Sequence, residues 1–537
     1  MSRKNKKTAA KSGFFAFSLT AFLLLLFFLF IPKEINLSNS DIGRHLKNGE
    51  MTVSERLIPK TNFYSYTNPD FPFYNHHWLS GVVFWTIHRV SGFEGLSVFF
   101  IVISLVTFYV FLSLGMKYSN HGLTALIALA AMPVIINRHE IRPEIFSYFF
   151  CAAYLWLFYN FDRNNEPPAH QVSGAMPPDR NRVSGKILYI IPLLQIVWVN
   201  LHIYFIMGIF IGSAFWLEAL INKNLRQSAG FRILTLVLIS SVLASIINPY
   251  WLRGLLFPFK IFENYGYLVF ENQSVRFIER IFKYPPALNF KIVFYTLAAS
   301  WIFRIYKSIK EKERFPTAFF IISAAFSAMA WLAIRNFALF GYFALAISAL
   351  NFKDILPGRL LKWQYLYVPA VLILTLFAFQ KTNPQMKSKG ADITGLVPGN
   401  EAAAQFFIQN RLKGPVFNNY DIGSYLIYHL YPLEKVFVDN RPEAYPSAFF
   451  KEVYVPMQEK EEVWLRESAK YGINAIFFYR HDVTPHGQDF LIKRVSDSQW
   501  APVFVDANNI IFLKRIKENS GIIKKFELPK EMFQVVR

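Results

Sequence analysis

Through the first 380 residues, long apolar runs alternate with short basic loops; from about residue 381, polar and apolar positions intermix as in an ordinary soluble domain. Runs of this length and purity predict membrane-spanning helices. The first covers residues 14–31, after a tail carrying Arg3, Lys4, Lys6, Lys7 and Lys11. It lacks a small-residue cleavage site, so it reads as a span and not as a signal peptide. Residues 78–90 are too short and polar to cross, since about 13 helical residues cover only about 20 Å of a 30 Å core. That segment, with His88 and Arg89 near its end, is expected as an interfacial helix. Further spans are expected at residues 96–116, 122–136, 145–161, 187–199, 203–221, 233–247, 292–305, 319–334, 337–350 and 365–379.

The pattern therefore predicts a polytopic α-helical membrane protein with about eleven transmembrane helices. Residues 1–12 form a basic cytoplasmic tail and 13–380 the transmembrane domain, with outer loops at 33–95 and 248–290. A cytoplasmic linker at 162–186 carries Pro167-Pro168 and Pro177-Pro178. Residues 381–537 are expected as an extracytoplasmic α/β domain, with helices at 401–412 and 459–470. Its strands are expected at 415–417, 435–439, 473–479, 502–506 and 509–514.

Charge supports this orientation. The chain has a formal charge of +21, which could suggest a polyanionic partner. Yet Arg304, Lys307, Lys310, Lys312 and Arg314 share one short loop, and Lys223, Arg226 and Arg232 another. That is the positive-inside signature, and it requires no nucleic acid. If residues 78–90 spanned, those loops would face outward. The single cysteine, Cys151, cannot form an intrachain disulfide and leaves the redox compartment unread.

On this map the unusual polar residues gather at the outer helix ends. Asp41, His45, His76 and His77 lie in the first outer loop; Arg138, His139, Arg142 and Glu144 lie at residues 137–144; Asn200 and His202, then Asn248, then Arg335 follow. Ionisable groups at membrane depth are costly and mark sites. Each has a plainer reading. The arginines could snorkel to headgroups, Asn248-Pro249 could end a helix, and His202 could be a satisfied interior histidine. His76-His77 could sit at the interface beside Trp78, and Asp41 could cap the helix that follows it. Their convergence on one face favours a site. With no Walker motif, GxGxxG or HExxH, energy must arrive with the substrate. A lipid-phosphate donor fits, its polyprenyl tail between helices and its phosphate held by Arg138, Arg142 and Arg335.

The layout of a cytoplasmic N-terminus, one span and a long outer loop with an early Asp resembles the GT-C membrane glycosyltransferases. That superfamily includes the protein O-mannosyltransferases and the lipid A aminoarabinose transferase. More closely, SDIGRHLKNGE, IPKTNFYSYT, NHHWL, RPEIFSY, WVNLH, INPYW and RNFALF are similar to a run of motifs in a bacterial branch of it. GPVFNNYDIGSYLIYHLYP and KVFVDNRPEAY resemble its C-terminal piece.

The resemblance implies a sugar transfer from a polyprenyl-phosphate donor to a glycan, lipid or protein acceptor, with inversion, on the outer face of a bacterial plasma membrane. Asp41 matches the general base, and the arginines would stabilise the leaving phosphate. His45, His76, His77, His139, Glu144, Asn200, His202 and Asn248 are candidate substrate contacts. No cofactor and no metal ligand is assigned. Many members carry two adjacent acids where this chain has Ser40-Asp41, which weakens the case for a divalent metal. Competing readings are a polymerase or ligase using lipid-diphosphate glycans, a lipid or glycan transporter, and a non-catalytic assembly protein. Asn418, Asp421, Asp439 and Arg441 could bind acceptor, though Asp439-Asn440-Arg441 also suits a turn with an ion pair.

Overall fold

The computed structural model describes residues 3–137, 141–164, 185–260, 265–355 and 394–533. Arg138, His139, the expected span at 365–379 and most of the 162–186 linker lie outside the described residues.

Helices dominate the first part. The first is α1 (Arg3–Phe30), followed after the short strand β1 (Glu34–Ile35) by α2 (Ile42–Ser54). Then come α3 (Trp78–Tyr118), α4 (His121–Ile136), α5 (Glu144–Asn164), α6 (Ile191–Leu201) and α7 (Ile206–Ile221). Helices Ala229–Ala244, Pro285–Glu311, Thr317–Leu332 and Phe337–Asn351 follow, with shorter helices between them. Five described helices are long and apolar enough to cross a membrane. The interfacial segment and the span after it are one helical run, α3, broken at Gly92 (φ 63°, ψ −160°). A side chain would resist that backbone conformation. The expected 292–305 span starts earlier, at Pro285, where proline suits a first helical turn.

Helix α2 lies against the start of α3 at very short range. A methyl group on Gly49 would sit 2.0 Å from the Gly81 carbonyl oxygen, so only glycine permits this crossing. The crossing brings the buried His45 toward His77 and Phe84.

Residues 394–533 form a four-stranded sheet with helices. Strands β3 (Val416–Asn418), β4 (Ala475–Tyr479), β5 (Trp500–Val505) and β6 (Asn509–Lys514) run in the order β3-β4-β6-β5. The β3–β4 pair is parallel and the other two are antiparallel. Alternation along β4 sends Ile476 and Phe478 into a core with Trp464, Phe490 and Trp500. Ala475 and Phe477 face the opposite way, into a core continuous with that of the membrane helices. One expected strand is absent: residues 435–439 make only an isolated bridge from Val436 to Ser65. The reason is local, because Phe437 donates its N–H to Asn418 Oδ1 and its carbonyl accepts from Ser65 and Thr67 hydroxyls. Side chains of other segments thus take the place of a ladder. Helices Gly423–Leu430 and Pro485–Ser496 were not expected from the pattern.

This sheet domain is bolted to the first loop. Strand β1 pairs in parallel with β2 (Gly395–Leu396), and the Leu37 N–H donates to Asn400 Oδ1 at 2.8 Å. Tyr66 donates its hydroxyl to the Val416 carbonyl at 3.0 Å, and the Arg44 N–H donates to Ser424 Oγ at 2.8 Å.

Candidate active site

Asp41 stands at the N-cap of α2, yet its side chain caps no backbone N–H. The carboxylate points elsewhere: Oδ1 accepts a hydrogen bond from Asn440 Nδ2, and Oδ2 lies 3.8 Å from Arg142 Nη1. The same Nη1 donates to Glu271 Oε2 at 2.8 Å. Arg142 therefore lies between two carboxylates from two different loops. Arg335 repeats the arrangement, donating from Nη2 to Glu144 Oε1 at 3.2 Å and from Nη1 to Asn272 Oδ1 at 3.0 Å. Its Nη1 is also 3.9 Å from Glu271 Oε1. The two arginines and three carboxylates form one chain of charge, partly buried, where ion pairs are screened less than at an open surface.

The histidines gather next to it. His76 and His77 have ring centroids 4.0 Å apart, His77 stacks on His202 at 4.9 Å, and His45 meets His77 edge-on at 5.7 Å. His202 Nδ1 is 2.7 Å from Ser147 Oγ, which accepts from Trp198 Nε1 at 2.8 Å. Desolvation holds His45 and His77 well below the usual histidine range and pushes His76 down to about 4. Near neutral pH these rings are uncharged.

Two candidates have local tasks. Asn200 accepts from Trp78 Nε1 at 2.8 Å and donates to the Ile247 carbonyl at 2.8 Å, tying α6 to α3 and to the next helix end. Asn248 is used in its own turn: Oδ1 accepts from the Tyr250 N–H, and Nδ2 donates to the Ser245 and Trp251 carbonyls. In the sheet domain, Asp439 and Arg441 form a buried ion pair at 2.6 Å, and Arg441 also donates to Asn62 Oδ1.

Glu271, Asn272, Arg44 and Asn440 were not singled out from the sequence. Glu271 had one signal, a carboxylate beside two amides in an otherwise aromatic stretch of the second long loop. Asn440 had none, because its reach to Asp41 spans 399 residues of chain.

Beside the charged cluster lies a small, partly open cavity of about 30 Å³. Phe27, Ile31, Phe100, Ile135, Tyr148 and Tyr342 give it an apolar wall from five helices, and Arg142 and Glu144 also line it. An arginine at the wall of an apolar chamber suits an amphiphile with an anionic head. Among the described residues, His, Cys, Asp and Glu side chains form no group of three able to hold a metal ion.

No family model matches the chain, and no curated protein matches it in sequence. Solved structures do match in fold. The oligosaccharyltransferase of Archaeoglobus fulgidus, in its apo form, superposes with a TM-score of 0.58 at 12% identity, over 91% of this chain and 73% of that one. The same enzyme, AglB, solved with an inhibitory peptide and a dolichol-phosphate, matches at 0.56 and 10% identity, over 91% and 73%. The mycobacterial arabinofuranosyltransferase AftD matches at 0.51 and 13% identity, over 93% of this chain and 41% of its own. The chain thus shares the fold of these membrane-embedded glycosyl-transferring enzymes. At such low identity the likeness is one of fold, so the chemistry must be argued from the site.

Proposed function

We propose that this protein is a membrane glycosyltransferase that moves a sugar from a polyprenyl-phosphate carrier to an acceptor hydroxyl on the outer membrane face, with Asp41 as general base. The observation that carries the reading is Arg142: it lies 3.8 Å from the Asp41 carboxylate and also lines the apolar cavity. A base and a phosphate-binding cation are thus side by side, with a small apolar pocket adjoining them. The dolichol-phosphate held by the archaeal oligosaccharyltransferase structure supports a lipid-phosphate donor.

In this mechanism the acceptor oxygen attacks the anomeric carbon while its proton passes to an Asp41 carboxylate oxygen. The bond from that carbon to the phosphate oxygen breaks, and its electron pair leaves on the phosphate. Arg142 and Arg335 exchange part of their pairing with Glu271 and Glu144 for the phosphate oxygens, stabilising the charge that develops there. A single in-line displacement of this kind inverts the anomeric configuration. The buried, neutral histidines supply polar contacts without adding positive charge. The outward orientation is supported by helix Pro285–Glu311. The site-side Tyr284 precedes its first residue. The basic residues expected in one loop lie instead in its last turns (Arg304, Lys307, Lys310) and just beyond (Lys312, Arg314), toward the far end of a helix about 40 Å long for 27 residues.

The test is transfer from a synthetic undecaprenyl-phosphate sugar panel to water or a small alcohol by the purified protein. Asp41→Asn should abolish transfer that the native protein performs. Wild-type rates in Asp41→Asn would remove the assignment of the base.

A further inference from the structure

The sheet domain places an amide where the proposed chemistry would occur. Asp41 has one rotatable bond before its carboxylate carbon, and its side chain is free of the helix cap it could have formed. Asn440 Nδ2 donates to Oδ1, so that Oδ2 is the oxygen turned toward Arg142. Asn440 Oδ1 in turn accepts from Arg44 Nε at 3.5 Å, one turn along α2. The amide is therefore oriented from both ends.

Its backbone is locked as well. Arg441 donates from Nε and Nη2 to the two oxygens of Asp439 at 2.7 and 2.6 Å, and Tyr445 adds its hydroxyl to Oδ2 at 3.0 Å. Arg441 also reaches Asn62 of the first loop at 2.6 Å. Both neighbours of Asn440 are consequently fixed by a fully buried fork of charge-assisted bonds. Such a fork is more than a surface turn requires. The same domain grips the loop of the second carboxylate, since Tyr267, four residues before Glu271, stacks on Tyr420 at 4.5 Å and meets Phe450 at a tilt at 5.1 Å.

We propose that Asn440 is a positioning residue for Asp41, and that through it the C-terminal domain is an obligatory part of the active site and not an accessory docking module. Its kinetic consequence rests on the glycosyltransferase reading; its structural core does not. The amide's hydrogen bond to the carboxylate is charge-assisted, so its loss leaves Asp41 free to turn away from the acceptor.

The experiment uses the full-length protein in lipid nanodiscs and two variants, Asn440→Ala and the near-isosteric Asn440→Leu, which keeps the side chain's volume but cannot donate to Asp41. Asp41 is labelled with a water-soluble carbodiimide and glycine ethyl ester and quantified by mass spectrometry, with Asp41→Asn as the blank. Labelling of Asp41 should rise several-fold in both variants while the unfolding temperature stays near that of the native protein. Transfer should show kcat reduced about ten- to hundred-fold, with the donor KM within about two-fold. In the Asp41→Asn background the Asn440 substitution should cost nothing more. Unchanged labelling in a folded variant overturns the proposal, and if the alanine variant does not fold, the leucine variant decides. Raised labelling in a protein that transfers no sugar upholds the positioning and overturns the enzyme reading. Transfer abolished by Asp41→Asn but untouched in both Asn440 variants does the reverse.

Discussion

Arg142 and Glu271 are joined by a 2.8 Å contact that links the start of α5 to the second long loop. Nothing in the chain separation of 129 residues announces it. The pair decides how the cluster behaves toward an anion, because Glu271 occupies the guanidinium nitrogen that also faces Asp41.

If Glu271 competes with a lipid phosphate for Arg142, removing its charge should help the ligand. Glu271→Gln is expected to tighten binding of undecaprenyl phosphate by about ten-fold, the scale of one charge-assisted hydrogen bond. Binding measured in detergent by fluorescence competition checks this. Weaker binding would show that Glu271 helps hold the ligand instead.

The arginines should be irreplaceable by lysine. Arg142→Ala and Arg335→Ala are each expected to weaken undecaprenyl-phosphate binding about ten- to hundred-fold. Arg142→Lys should recover little, since a single ammonium cannot serve a phosphate and Glu271 in the fork geometry of a guanidinium. Full recovery by lysine would reduce Arg142 to a source of charge.

Acid should loosen the first loop. His76 titrates near pH 4 in the folded protein, and burial lowers His45 and His77 in the same sense. Unfolded histidines bind protons near pH 6.5, so between there and about pH 4 the unfolded chain holds more protons than the folded one. Stability contributed by the neutral rings is thus complete above pH 6.5 and is lost as pH falls, by up to about 1.4 kcal/mol per pH unit for each ring. The unfolding temperature should drop from pH 7.5 to pH 5, and less so in His76→Phe. A melting temperature flat across that range would contradict the buried, neutral assignment.

Two packing positions should be unforgiving. Gly49→Ala puts a methyl group 2.0 Å from the Gly81 carbonyl, and such overpacking costs about 1–3 kcal/mol or more. Arg441→Met leaves Asp439 buried and unpaired, a loss of about 3–5 kcal/mol. Thermal unfolding by intrinsic fluorescence reads both, and near-native stability in either would refute the packing described.

The apolar helices were legible in the sequence because each depends on neighbours a few residues away. Apolar runs set the expected spans and basic loops the expected orientation, whereas the start at Pro285, the break at Gly92 and the close crossing at Gly49 emerged only in the structure. Asp41, Arg142 and Arg335 were also legible, since charge in a membrane-embedded chain attracts attention wherever it lies. Tertiary structure alone decided the partners. Glu271 closing on Arg142, Asn440 reaching Asp41 and the Arg441 fork to Asn62 are contacts across 129, 399 and 379 residues. Segments so distant meet only when β1 pairs with β2 and Tyr267 stacks on Tyr420, and no local pattern records such a meeting. The sequence by itself determined where the charge was; the fold decided which carboxylate each arginine answers.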